Sequence, residues 1–326
     1  MPLLLSDHAA TTAPVPLVTT AEARMLGISL APQRWHRVRR GVYAERAAYK
    51  VLKPWSRYAA RVHAFVRTHP DAVLCLESAA VIHGLPLFNE TRDIHVLGDA
   101  GDKPRRFGDV WVHTSEDPRT VERVDGVHVT SLLDTAVDLT RVMSPAKALA
   151  VADSAVSTAQ GGSLEILDAL DLLDAQSNRR GVNRARWAWS RANGLSESPS
   201  ESVSRAVIEW SGFEAPDLQK VFRYEGHEDR ADFHFPSCRA IGEADGWQKY
   251  ALGDPAKAAA KLADEKRRED RLRRNRHPFA RWDLADAWKV DPLCASLHAA
   301  GVPLTRLAQP AMLGSLRHSP RELPRA

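Results

Sequence analysis

At 326 residues the chain exceeds one typical domain, and its 44% hydrophobic and 26% charged side chains are ordinary globular values, so two or three compact units are expected and a disordered or fibrous chain is excluded. A formal charge of +4 with a pI near 9.0 suits an anionic partner without requiring one. Cys75, Cys238 and Cys294 lack C-x-x-C spacing, no window approaches the roughly 18 apolar residues of a membrane span, and "MPLLLSDHAA" has no basic segment before its leucines; these point to a reducing cytoplasm and no membrane partner.

Residues 1–16, interrupted by Pro14 and Pro16, show no periodicity. Thr19 or Thr20 offers an N-cap for a short helix, "AEARMLGI", and "QRWHRVRRGVYA" reads as a helix end or turn passing through Gly41 into a strand. Residues 1–54 are therefore expected to form a small winged helix. Within them Arg34, Arg37, Arg39 and Arg40 surround Trp35 and His36, a grouping suited to DNA phosphates, which position a protein on a duplex without reading its sequence.

Residues 55–176 mix helical "SRYAARVHAFVRTH" and "AVLCLESAAVIHGLPL" with strand-like "RDIHVLG", "DVWVHTS" and "VDGVHVTS", the last around a D-G turn. Helical spacing returns in "LLDTAVDLTRVM" and "SPAKALAVADSAV", where Ser144 and Pro145 supply a cap and a first-turn proline, giving an α+β middle domain. "LESAAVIHG" holds Glu77, Ser78 and His83 but lacks the glycines that flank a serine nucleophile, so it reads as a packed helix start. Residues 177–197 pass from a basic, tryptophan-bearing helix into a Gly, Ser and Pro linker, the expected main boundary.

From residue 198 to 326 the order is helix ("ESVSRAVIEWSG"), three strands ("LQKVFRYE", "RADFHF", "RAIGEADG"), a long helix capped at Asp254–Pro255 and ended by His277–Pro278, and a strand ("FARW"). The chain is thus an α+β and α/β multidomain protein with a C-terminal α-β-β-β-α-β unit. A two-residue turn at Ser237–Cys238 sets Pro236 against Arg239, and hence Asp232 against Glu243 and Arg230 against Asp245. Opposed like charges with Cβ atoms about 4.5–5.5 Å apart repel and need relief, from a shared proton or from a cation such as Mg²⁺ held by one or two carboxylates and a substrate phosphate. A solvated charged face is the competing reading. Glu201 completes the spacing of a capping box with Ser198 and stands four residues before Arg205, an ion-pair spacing; a metal role is compatible with both. "EKRREDRLRRNR", with alternating signs, suits an exposed helix.

The α-β-β-β-α-β order with Glu201, Asp232 and Glu243 resembles the restriction-endonuclease-like, PD-(D/E)XK, superfamily, and "GEADGWQKY" followed by "EKRREDRLRR" resembles its very-short-patch-repair-endonuclease-like branch. The resemblance implies Mg²⁺ (or Mn²⁺) on Asp232 and Glu243, assistance from Glu201, and a lysine that stabilises charge on the attacked phosphate. Asp245 stands at that lysine's position here, and Lys249 is the nearest basic candidate. Residues 19–176, through "WHRVRRGVYA", "LESAAVIHGLPL" and "IHVLG", resemble the amino-terminal part of AbiEi-type antitoxins of abortive-infection systems, which carry a winged helix. Together these imply a DNA-associated protein: either a metal-dependent endonuclease in phage defence or repair, or an antitoxin-type regulator with a degenerate nuclease fold, whose partner would be a cognate toxin gene or its product.

Overall fold

The structure, a computed structural model, describes residues 12–99, 101–245, 255–317 and 320–323, without the side chains of 255–262. The amino-terminal unit contains β1 (Leu17–Thr19), α1 (Thr20–Met25), β2 (Trp35–Arg39), β3 (Val42–Glu45), α2 (Arg46–Lys50) and α3 (Pro54–Val66). Thr19 and Glu22 close a reciprocal capping box that starts α1. "WHRVR", expected as a helix end or turn, is instead strand β2: it pairs antiparallel with β3 through a hairpin at Gly41, whose φ of +79° the missing Cβ permits, and β3 supplies the hydrogen bonds a helix would have supplied internally. The three strands lie in the order β1-β3-β2.

Helix α3 serves two cores, because its apolar residues occupy two stripes. Ala60 and Ala64 pack against Leu17, Val42 and Ala44 of the small sheet, whereas Tyr58, Val62 and Phe65 face the middle sheet. That middle sheet has six strands, β4 (Val73–Leu74), β5 (Ile94–Leu97), β6 (Arg105–Phe107), β7 (Val110–His113), β8 (Val121–Val124) and β9 (Val127–Thr130), in the order β6-β7-β5-β4-β9-β8. Its β8–β9 hairpin turns on Asp125 and Gly126, both at positive φ (44° and 86°), the pair that a primed two-residue turn requires.

Helix α4 (Leu76–His83) packs on β5 and β9, and α5 (Leu132–Val142), α6 (Pro145–Val156), α7 (Ile166–Ala175) and α8 (Val182–Trp189) form a helical cluster with it. Helix α6 begins at Pro145, but Ser144 makes no side-chain cap bond. Residues 182–189, at the head of the stretch read as helix and linker, are packed: Trp189 is fully buried and its Nε1 donates to Thr140 Oγ1 at 3.0 Å.

The C-terminal unit follows the expected order with α9 (Pro199–Ser211), β10 (Asp217–Tyr224), β11 (His227–Phe235), β12 (Ala240–Asp245), α10 (Pro255–Arg274) and β13 (Phe279–Asp283). The sheet order is β10-β11-β12-β13, with β12 and β13 parallel because α10 carries the chain back across the sheet. Helices α11 (Leu284–Lys289), α12 (Asp291–Ala299) and α13 (Pro310–Gly314) complete the chain. One core gathers Trp210, Phe213, Phe233, Phe235, Trp282, Leu293 and Leu297 together with Ala146 and Leu149 of α6, so the middle and C-terminal units share apolar contacts. Arg205 Nη1 crosses the same α6–α9 contact to reach the fully buried Asp153 at 2.6 Å, rather than pairing with Glu201 one turn away.

The molecule is thus a mixed α+β protein with three sheets among the described residues. No helix among those residues is long and apolar enough to cross a membrane.

Gly242 of β12 lies against two aromatic side chains: a Cβ there would lie 2.6 Å from Trp282 Cη2 and 3.2 Å from Phe233 Cβ. The indole cannot retreat freely, since its Nε1 donates to the buried Ser204 Oγ at 2.8 Å. Gly242→Ala is therefore expected to destabilise the chain by about 1–3 kcal/mol through overpacking, read as a lower urea midpoint at unchanged slope.

Candidate acidic site on the C-terminal sheet

The turn between β11 and β12 spans the four residues 236–239, with Arg239 at φ +60°, rather than two. The register survives because one residue is added on each side: Phe235 pairs with Ala240, His234 with Ile241 and Phe233 with Gly242. The ladder ends at Phe233–Gly242, one step before Asp232 and Glu243. Asp232 Oδ2 accepts the Ala244 backbone N–H at 3.1 Å, which ties this carboxylate to the neighbouring strand.

Glu243 is 2% exposed, and Arg268 of α10 reaches it with Nη2 2.9 Å from Oε2. Arg268 Nη1 also donates to the Arg230 carbonyl at 2.5 Å, so the guanidinium is held from both neighbouring strands. Burial pushes Arg268 down, but the charges of Glu243 and Asp232 outweigh it and raise its pKa above the ordinary value. A cation from α10 therefore stands in contact with Glu243.

On the other side of Glu243, the parallel ladder places Arg281 of β13 directly alongside. Its Nη2 lies 3.2 Å from Glu269 and 3.5 Å from Glu265, and its Nη1 3.7 Å from Asp245. The expected Arg230–Asp245 pairing is thereby corrected. Arg230 lies beyond the β11–β12 ladder, opposite Val221 of β10, and its Nη2 donates to Glu197 Oε2 at 2.6 Å.

Glu201 is buried in the first turn of α9, where the Ser198 hydroxyl donates to Oε1 at 2.7 Å and Gln219 Nε2 to Oε2 at 3.0 Å. The box bond from its carboxylate goes to the Glu197 amide at 2.9 Å, one residue before the N-cap. Burial, joined by the nearby Glu197 charge, raises its pKa against the lowering effect of these donors. Gln219 stands between the pairs Leu218–Phe233 and Lys220–Ala231, at the level of Asp232, so Glu201 meets the acidic row through an amide. Among the described residues no three His, Cys, Asp or Glu side chains converge with metal-ligand spacing. Glu201, Asp232 and Glu243 are therefore not gathered into one ligand set, because the helix cap claims Glu201. Lys249 lies outside the described residues.

The basic amino-terminal group divides. Arg39 is drawn inward, ion-paired with Asp109 and placed 5.3 Å over the Phe65 ring, whereas Arg34, Arg37 and Arg40 stay exposed. Arg34 keeps only a 4.0 Å approach to Glu45.

Sequence reasoning missed the partners on α10 and β13. Arg271 grips the buried Asp229 with two bonds of 2.7 and 2.6 Å, as Arg268 grips Glu243. The readable signal was helical phase: Glu265, Arg268, Glu269 and the fully buried Leu272 share one face, so "EKRREDRLRR" is not exposed all round.

No known family model matches this chain, and no solved structure matches it. It is similar to two Mycobacterium tuberculosis proteins, Rv2248 and MT2308, both described only as uncharacterized, each 34% identical over 181 residues. The aligned stretch covers 55% of this chain and 65% of each relative's length.

Arg268→Ala would leave Glu243 buried beside Asp232 without its guanidinium. A loss of about 3–5 kcal/mol in unfolding free energy is expected, with partial recovery in Arg268→Lys, measured by chemical denaturation.

Proposed function

We propose that the chain is a DNA-binding protein whose C-terminal unit is a restriction-endonuclease-like phosphodiester hydrolase. The observation that carries this reading is Asp232 bonded to the Ala244 amide where the β11–β12 ladder ends, next to the buried Glu243, on a sheet whose last two strands are parallel. Two carboxylates are a hard-oxygen donor set that fits Mg²⁺ or Mn²⁺ when a substrate phosphate and water fill the remaining positions. When bound, the ion would polarise the phosphate and lower the pKa of an attacking water. Asp232 and Glu243 would hold the ion, and Arg268, already in contact with Glu243, would pair with a phosphate oxygen as charge develops on it. Arg268 thus takes the charge-stabilising role for which the sequence offered Lys249.

The amino-terminal unit supports the DNA half of this reading. A helix, a β-hairpin and the exposed Arg34, Arg37 and Arg40 suit a winged helix that grips phosphates, while Arg39 serves the protein interior.

A second reading, an antitoxin-type regulator without chemistry, draws on Arg281. Asp245 replaces the motif lysine and lies 3.7 Å from that guanidinium, so protein cations answer these acids.

Plasmid incubated with the protein and Mg²⁺ or Mn²⁺ separates the two. Metal-dependent cleavage that falls at least a hundredfold in Glu243→Ala is expected. Absence of cleavage, or cleavage indifferent to that substitution, refutes the hydrolase. In gel shifts the triple variant Arg34→Ala, Arg37→Ala, Arg40→Ala is expected to bind duplex DNA at least tenfold more weakly and with a shallower salt dependence, roughly one unit of log–log slope per lost phosphate contact.

A further inference from the structure

Away from the acidic sheet, the start of α4 buries a second carboxylate. Glu77 is 2% exposed, and Arg321, from the far end of the chain, grips it with Nε at 2.5 Å from Oε1 and Nη2 at 2.6 Å from Oε2. Behind it His95 of β5, equally buried, places Nε2 3.4 Å from Glu77, while its Nδ1 lies 2.8 Å from His113 Nε2 on β7. Burial pushes His95 down to about 3 and His113 to about 4, so both rings are neutral at physiological pH. Burial would push Glu77 up, yet the Arg321 guanidinium overrides it and holds the carboxyl at about 2.

The residues around Arg321 dock through one isolated antiparallel bridge and two backbone hydrogen bonds. Glu322 bridges antiparallel to Thr91, the Arg92 N–H donates to the Arg321 carbonyl at 3.0 Å, and the Leu323 N–H donates to the Glu90 carbonyl at 2.8 Å. The Glu322 carboxylate pairs with the buried Lys147 ammonium and accepts from Asn89 Nδ2 at 2.7 Å. Leu87, Phe88 and Met143 line a small cleft whose wall also includes Pro320, Arg321 and Glu322 themselves. The cleft therefore reads three things at once: an extended backbone, a guanidinium, and a carboxylate one residue later. Strand addition with charged pockets for successive side chains is a general mode of peptide recognition. Its acceptor Glu77 and donor Lys147 both belong to the middle unit, and both are buried.

We propose that this cleft is a peptide-recognition site for an extended segment carrying arginine followed by glutamate, filled in cis by Arg321–Glu322 and open to a partner protein's segment of the same chemistry when that strap leaves. The inference is independent of the hydrolase reading. A tethered strap acts at an effective concentration on the order of millimolar, so the intact chain shields the cleft and a free peptide competes poorly.

The test uses the full-length chain carrying Arg321→Ala and Glu322→Ala, which frees the cleft, and a fluorescein-labelled peptide matching residues 317–323. Fluorescence anisotropy is expected to show binding by this variant and at least tenfold weaker binding by the unaltered chain. Alanine at the arginine of the peptide, or Glu77→Gln added to the variant, is expected to cost at least a further tenfold. A variant that is folded by circular dichroism yet does not bind the peptide overturns the proposal, as does binding indifferent to that arginine. A variant that fails to fold overturns it too, since the strap is then an integral strand and not a ligand.

Discussion

The C-terminal sheet turns on a close contact at Gly242, over which the Trp282 indole and the Phe233 side chain pack. With no Cβ at that position the strands settle in one register, and a slip of one residue would send every side chain to the opposite face. The neighbouring residue, Glu243, is buried with Arg281 alongside it on β13 and the Arg268 guanidinium in contact. The charges of the site follow from an apolar contact. Hydrophobic packing against α9 sets the register, and the register decides which acids meet.

The same solution to buried negative charge recurs across the molecule. Asp153 is met by Arg205, Asp229 by Arg271, Glu243 by Arg268 and Glu77 by Arg321, each an arginine from an element remote in sequence. A planar guanidinium suits this role because it satisfies both carboxylate oxygens at once, as Arg271 and Arg321 do. Such pairs add little net stability over apolar packing, but breaking one strands a charge, so they specify which surfaces meet. Asp153–Arg205 fixes α6 against α9, and Glu77–Arg321 fixes the last described segment against the middle sheet.

This arrangement also shapes the functional reading. Glu243 with Arg268 in contact forms a site that, on the proposed reading, would present the same arginine to a phosphate when a metal takes the carboxylates. The exposed arginines of the β2–β3 hairpin lie in a different unit from these acids, so DNA attachment and phosphate chemistry would be separable properties of one chain.

Local chemistry made much of the fold legible. Alternation in "RADFHF" and "RAIGEADG" gives the two strands, the Asp125–Gly126 pair gives the β8–β9 turn, and the threonines at 19 and 20 give the start of α1, because each depends on residues within a few positions of one another. Elements beyond Asp283 were not read, and β2 was mistaken for a turn, since its strand state depends on hydrogen bonds donated by β3. Partner choice was the least legible. Arg39 turning to Asp109, Arg205 to Asp153, Arg230 to Glu197 and Arg321 to Glu77 are selected by proximity in the folded chain. A long flexible cation can reach many acids, and Coulomb attraction in a low-dielectric interior rewards whichever one packing brings within about 3 Å; spacing along the sequence carries no record of that distance.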